Sequence, residues 1–276
     1  MYSQSDKLAV VKVGGDMLLE KAGRDAFAEN LKGLKESGWR CLVLHGGGPQ
    51  ISTLQALHGL TTNKVEGRRI TSQKDLIVVK QALCGEVNVD LVTALISCEI
   101  NAFGCHGASG LLLEANKRAP MEFEGCEPVD LGEVGDVVKV NNELIHKLLN
   151  LGLTPVIASL GADQTGRIYN INADTTAVAL AKSLKADILI LCTKVGGIFA
   201  NIDDPSSRLS EISSSCARTL IEKKVITDGM IPKVREALSL LDQGTHSVAI
   251  VNADKPTNFV RVAQAKPDIG TRFLKD

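Results

Sequence analysis

Aromatic side chains are scarce: six Phe, two Tyr and one Trp make up 3% of 276 residues. That shortage removes most of the stacking platforms on which a single-strand nucleic-acid binder depends. Neither sign of charge is in excess, since 31 basic and 32 acidic residues leave a formal net charge of -1. No bulk field therefore draws the chain to nucleic acid or to an anionic membrane. Apolar runs such as Ile188 to Cys192 fall far short of the ~20 residues a bilayer-spanning helix requires. The opening stretch, Met1 to Lys7, is polar and has no signal-peptide core. The seven cysteines are odd in number, scattered and never spaced C-x-x-C. The expectation is free thiols in a reducing cytosol and no structural zinc site.

Two nucleotide signatures are missing as well. There is no G-x-x-x-x-G-K-[ST] and no G-x-G-x-x-G following a strand, so a P-loop and a nicotinamide-dinucleotide fold both lack their phosphate cradle.

What is present is alternation of strand and helix, with no repeat, low-complexity segment or linker. Leu8 to Val13 reads as a buried strand that stops at Gly14-Gly15. Phe27, Leu31 and Leu34 then fall on one helical stripe. Cys41 to Leu44 is a second strand, stopped by Gly46-Gly47-Gly48. A long helix is expected over Gln73 to Ser97, with Leu76, Val79, Leu83, Val87 and Leu91 aligned. Ile100 to Val140 reads as short extended runs joined as hairpins. Alternation then resumes through a helix at Glu143 to Leu149, strands at Pro155 to Ser159 and Arg167 to Ile171, and a helix from Ala173. Further on come a strand at Asp187 to Cys192, helices at Ser214 to Glu222 and Met230 to Leu241, and a strand at Val248 to Val251. Such a pattern implies a mainly parallel sheet covered on both sides. In sheets of that kind ligands bind beyond the carboxyl ends of the strands.

The residues just past those ends carry the chemistry. K-V-G-G (Lys12 to Gly15) and H-G-G-G-P-Q (His45 to Gln50) each place glycines between a strand and a helix. Without a Cβ, backbone N–H groups can approach an anion closely, and the helix start adds partial positive charge. The alternative for each is a tight turn with no ligand. Lys12 closes an otherwise apolar run, and a buried lysine needs a partner; a snorkelling edge-strand lysine is the alternative. N-I-N-A-D (Asn170 to Asp174) sits at a strand-to-helix junction, where simple capping by Asn172 and Asp174 would also account for it. In T-D-G-M-I-P-K (Thr227 to Lys233), Pro232 belongs to a first helical turn. That sets Lys233 near the positive end of a helix dipole, either against an anion or past the turn in solvent.

Together with G-R-R-I-T (Gly67 to Thr71), these motifs resemble the amino acid kinase family, in the family's order and at its spacings over nearly the whole chain. Within it they are similar to the branch that phosphorylates N-acetyl-L-glutamate. The resemblance implies an α/β fold: a three-layer αβα sandwich with an open, mainly parallel sheet of about eight strands, in a single domain spanning 1–276. A lobe of about 1–160 would bind the acyl amino acid, and a lobe of about 161–276 would bind ATP. It further implies that Lys12 and Lys233 neutralise the transferring phosphoryl group, that Asp174 holds both lysines, and that Gly15, Gly47 and Gly48 give it N–H groups. Arg69 would grip the substrate α-carboxylate, with Arg68 as the neighbouring alternative, and Asn170 and Asn172 would complete that pocket. Nucleotide would lie along Lys194, Val195, Gly196, Gly197, Ile198 and Phe199, and along Val225, Ile226 and Thr227.

The implied chemistry is coherent. The nucleophile is a side-chain carboxylate, ionised at neutral pH because its pKa lies near ~4.3, so no general base is required. The difficulty is bringing one anion to another, which positioning and charge neutralisation must solve, with Mg2+ arriving on ATP as co-substrate. An arginine fork suits a carboxylate because it bonds both oxygens.

Two departures from the family pattern stand out: Lys194 where an aspartate is usual, and G-C-H-G-A-S-G (Gly104 to Gly110) where G-L-S-G-K-D-G is common. The second removes an acidic residue near the hairpin region and leaves His106 in its place; a surface role suits that histidine better than catalysis. Eleven residues precede Lys12, which by the resemblance implies a homodimer without arginine feedback; the free thiols and polar start give the expectation of a cytoplasmic location. The competing readings are a same-fold kinase for aspartate or carrier-linked aminoadipate, and a non-catalytic nucleotide or amino-acid sensor.

Overall fold

The computed structural model describes residues 7–276 except Glu66, 123–126, Ile202, Lys224, 227–230, 232–233, Glu236, 239–240 and 242–246. β1 (Leu8–Val13) is buried at every position, as its mainly apolar, valine-rich sequence requires of a strand covered on both faces. α1 (Lys21–Glu36) buries Phe27, Leu31 and Leu34, the predicted stripe. β2 (Arg40–His45) runs parallel to β1. α2 (Gly48–Leu57) begins on the third glycine of the next turn, with Pro49 where a missing N–H costs nothing. β3 (Lys64–Val65) and β4 (Arg68–Arg69) form a small hairpin.

The helix expected over Gln73 to Ser97 is present as α3 (Gln73–Lys80), a π-helical stretch over Gln81–Val87, and α4 (Asn88–Ser97). It starts on a reciprocal capping box between Ser72 and Asp75. Val79, Leu83, Val87 and Leu91 are buried as the stripe predicts, while Leu76, one turn nearer the helix start, is half-buried.

β5 (Ala102–His106) corrects one expectation. It is no hairpin arm but an edge strand of the main sheet, parallel to Thr154–Ala158. An edge has only partial cover, and Phe103 is 42% exposed, so the run lacks the apolar continuity of the central strands. The hairpin reading does hold for β6 (Leu113–Lys117) and β7 (Gly135–Val140), which pair antiparallel. After α5 (Asn142–Asn150) come β8 (Thr154–Ala158), β9 (Leu160–Ala162), β10 (Ile168–Asn170) and α6 (Ala173–Ser183). The last part contains β11 (Ile188–Cys192), the hairpin β12 (Ile198–Phe199) and β13 (Arg208–Leu209), β14 (Glu211–Ser213) and α7 (Ser214–Glu222). It ends with β15 (Val248–Val251), α8 (Asn258–Ala263) and β16 (Thr271–Leu274). The helix expected over Met230 to Leu241 lies partly outside the described residues; its predicted face, Val234, Ala237, Leu238 and Leu241, is buried.

The eight-stranded sheet has the order β14-β16-β15-β11-β1-β2-β8-β5, and its one antiparallel pair is β15 with β16. Alternate strand residues feed two cores. Leu8, Val10, Leu42, Leu44, Leu189 and Leu191 pack with α5 and α6 on one side. Ala9, Val11, Val43, Ile190, Phe27 and Phe259 pack with α1, α4 and α8 on the other. This is the three-layer αβα sandwich. β1 has β2 on one flank and β11 on the other, which makes its carboxyl end the switch point where such sheets open a crevice.

Candidate active site

Lys12 is the penultimate residue of β1. Strand alternation turns it to the face of Leu8 and Val10, the face that α6 covers. There its Nζ meets Asp174 Oδ1 at 2.7 Å, with the two side chains 7% and 14% exposed. The snorkelling alternative is therefore excluded. Asp174 lies in the first turn of α6, where the helix start favours a carboxylate. Asn172 is the N-cap, its Oδ1 accepting from the N–H of Asp174 at 2.9 Å and of Thr175 at 3.1 Å. Capping thus describes Asn172, while Asp174 holds the lysine.

The two glycine turns are tied to neighbouring strand ends. Gly14 N–H donates to Cys192 O at 3.4 Å, and Gly46 N–H to Val13 O at 3.5 Å. They also touch each other. A Cβ on Gly15 would stand 2.8 Å from Gly47 Cα and 3.0 Å from Gly48 N, and one on Gly47 would stand 2.7 Å from Leu83 Cδ2. Only glycine permits that approach of backbone to backbone. Behind the second turn His45 is wholly buried. Its Nδ1 is 3.1 Å from Gly46 O and its Nε2 is 2.9 Å from Asn88 Nδ2. The amide can only donate, so Nε2 accepts and the proton sits on Nδ1, which donates to Gly46 O. Burial pushes the imidazole down to about 4, against a smaller upward pull from Gly46, so the ring is neutral at pH 7.

These turns floor a cavity of about 250 Å3 that also admits Arg69, Asn170, Asn172 and the Lys12–Asp174 pair. Arg69 comes from β4 and is held from α2: its Nη2 donates to Ser52 Oγ at 2.9 Å and Gly48 O at 3.1 Å, and its Nη1 to Gln55 Oε1. Burial lowers its pKa from the usual guanidinium range, with Asp75 acting in the opposite sense. Asn170 Nδ2 donates to the fully buried Thr71 Oγ1 at 3.0 Å. Arg68, the alternative to Arg69, lines the same cavity. Its floor and walls thus hold fixed N–H groups, cations and amides, a donor set suited to an anion.

The Lys194 to Phe199 segment follows β11 and lies outside that cavity. It borders two other depressions, one with Lys194 beside Asp16, the other with Val195, Gly196 and Phe199 beside Arg208; both include Asn252 and Asp254. Gly196 has φ +77° and its N–H donates to Thr193 Oγ1 at 3.0 Å. Gly197 is buried, and Ile198 N–H donates to Thr271 Oγ1 at 2.8 Å. Val225 is half-buried and Ile226 buried. Thr227 and Lys233 lie outside the described residues. His106 ends β5, half-buried beside Ser109, and does not line the first cavity.

Sequence reasoning missed the residues that support the site: Ser52, Gln55, Thr71, Asn88 and Arg118, the last of which lines the cavity while bonding Asp136 at 3.0 Å. Only Asn88 had a local signal, a polar residue between Val87 and Leu91 of the apolar stripe.

The amino acid kinase family matches residues 7–252 of this chain. An acetylglutamate kinase of an Anaeromyxobacter species is 42% identical over 247 residues, covering 89% of this chain and 91% of that one. Among solved structures, smu.665 from Streptococcus mutans superposes with a TM-score of 0.75 at 30% identity, over 89% of this chain and 94% of that one. The carbamate kinase of Giardia superposes with a TM-score of 0.71 at 17% identity, over 98% and 99%, and so speaks to the fold alone.

Proposed function

The chain belongs to the amino acid kinase family, and from that membership we propose that it transfers the γ-phosphoryl group of ATP to the side-chain carboxylate of N-acetyl-L-glutamate. The product is N-acetyl-L-glutamyl 5-phosphate, an activated acid of the kind consumed in arginine biosynthesis. One observation carries the reading: a single cavity gathers the Lys12–Asp174 pair, four glycines of two turns, Arg69 and two asparagines. The relative named acetylglutamate kinase supports the choice of acceptor.

In this mechanism Arg69 bonds the α-carboxylate, and Asn170 and Asn172 present their amides to the rest of the acyl amino acid. The side-chain carboxylate then points at the glycine turns. As the phosphoryl group leaves ADP, charge spreads over its three oxygens. Gly15, Gly47 and Gly48 donate N–H groups to it, and Lys12 supplies a cation whose position Asp174 fixes. Such preorganised donors are worth roughly 3–4 kcal/mol each in comparable sites. Lys233 is given the second cation by its motif alone. The acyl amino acid occupies the lobe of about 1–160, and ATP lies along Lys194 to Phe199 and Val225 to Thr227 in the remainder. A divalent ion would arrive with the nucleotide and be bound mainly by it, because Asp174, the one carboxylate among the cavity's described residues, is engaged by Lys12. Its charge would screen the phosphates from the incoming carboxylate.

A homodimer belongs to the same reading. The open edge at β5, with Phe103 exposed, and the exposed Val89 and Ile96 of α4 offer apolar surface for a second copy. No helix of the described residues is long and apolar enough to cross a membrane; a cytoplasmic location is part of the proposal. An ADP-release assay with N-acetylglutamate, aspartate and carrier-linked aminoadipate tests the substrate. Turnover of either competitor with none for N-acetylglutamate would overturn the assignment.

A further inference from the structure

We propose that Gln50 is a positioning residue that sets the gap between the two glycine turns, and through it the place where the migrating phosphoryl group is held. The proposal rests on the reading of those turns given above. Gln50 lies in the first turn of α2, is 5% exposed, and stands behind the cavity rather than on its wall. Its side chain crosses from the second turn to the first, where Nε2 donates to Gly15 O at 2.8 Å. Its Oε1 occupies the seam: a Cβ on Gly15 would be 2.8 Å from it, and one on Gly47 would be 3.6 Å from it.

Two observations make this amide a spacer rather than a stabilising bond. Gly15 O already accepts from Leu18 N–H at 3.1 Å, so the carbonyl is satisfied without Gln50. The buried Oε1 accepts no hydrogen bond among the described residues, a burden that an apolar side chain of similar size would remove. What the amide adds is a strut of fixed length between the end of β1 and the start of α2. Donors on both turns must converge on one group of three oxygens, and a misplacement of about 1 Å costs on the order of 100-fold in rate.

The test uses Gln50→Leu and Gln50→Glu in the full chain. Gln50→Leu should keep or raise the Tm while kcat falls roughly 10- to 100-fold, with both KM values within about threefold of wild type. Gln50→Glu, an acceptor facing the Gly15 carbonyl and an incoming anion, should fall further. A readout independent of substrate is the unliganded 15N-labelled chain. In it Gln50→Leu should shift the amide resonances of Gly47 and Gly48 as well as Gly15, although the side chain bonds only Gly15. Wild-type kcat in Gln50→Leu, a kcat loss that merely follows the folded fraction, or unmoved Gly47 and Gly48 amides would each overturn the strut. A wild-type protein that turns over no N-acetylglutamate defeats the functional reading instead, and the amide resonances then decide the strut by themselves.

Discussion

Replacing Lys12 with alanine separates two consequences that the ion pair with Asp174 holds together. At 2.7 Å and an effective dielectric of about 20, the gross attraction is roughly 6 kcal/mol. Withdrawing both charges from water takes back much of that, and side-chain exposures of 7% and 14% make the withdrawal nearly complete. Breaking such a pair from one side costs about 3–5 kcal/mol, because the surviving charge stays buried. Asp174 keeps the favourable start of α6, so about 3 kcal/mol is the expected loss for Lys12→Ala. Adding Asp174→Ala removes the stranded carboxylate and should return about 2 kcal/mol of it. Turnover should not follow the same course. With a cation lost from the transferring group, kcat should fall by roughly 10²–10³-fold in the single variant, and the double variant should stay as slow. Urea unfolding at pH 7 and single-turnover ADP release read the two quantities. A double variant that regained its rate along with its stability would show the lysine to be structural and refute the argument.

Two further perturbations follow from the same geometry. Gly15→Ala drives a methyl group to 2.8 Å from Gly47 Cα, which cannot swing aside, whereas Gly48→Ala meets nothing within 4 Å. The first should cost about 1–3 kcal/mol and most of the activity; the second should leave the Tm unchanged and raise the KM for the acyl amino acid, as thermal unfolding and steady-state kinetics can show. His45 makes stability depend on pH. Its folded pKa of about 4 lies below the ordinary 6.5, so between pH 6.5 and 4 the unfolded chain gains a proton that the folded one refuses. Stability is intact above that window and falls as pH drops through it, by about 3 kcal/mol in all. Urea unfolding at pH 7, 5.5 and 4.5 should show a slope for wild type that His45→Asn lessens.

Much of the site was legible because its chemistry is written in short motifs at strand ends. Lys12 sits at the end of an apolar strand, three glycines follow another, and Asn172 and Asp174 open a helix; each is fixed by neighbours in sequence. The supports were not legible. Gln55 and Ser52 reach Arg69 only because α2 lies beside β4, and Asn88 reaches His45 only because α4 packs over β2 and β8. Such partners depend on register between distant segments, which periodicity does not encode. The edge strand β5 was misread for a related reason. Half-covered on the sheet margin, it has neither the solid apolar run of a central strand nor a clean alternation. Lys233, the second cation in the motif reading, lies beyond the described residues, and Lys12 carries the structural argument alone.

The place of β1 between β2 and β11 also bears on how the chain is made. Its Leu8 amide is bonded by the carboxylate of Asp187, 179 positions later. At a ribosomal pace of about 5–20 residues per second, β1 waits on the order of 10–40 s for that flank. During the wait an apolar strand margin is open to wrong partners. Assembly of this protein in the cell should therefore lean on chaperones that shield the nascent amino-terminal half, and slower translation should lengthen that dependence.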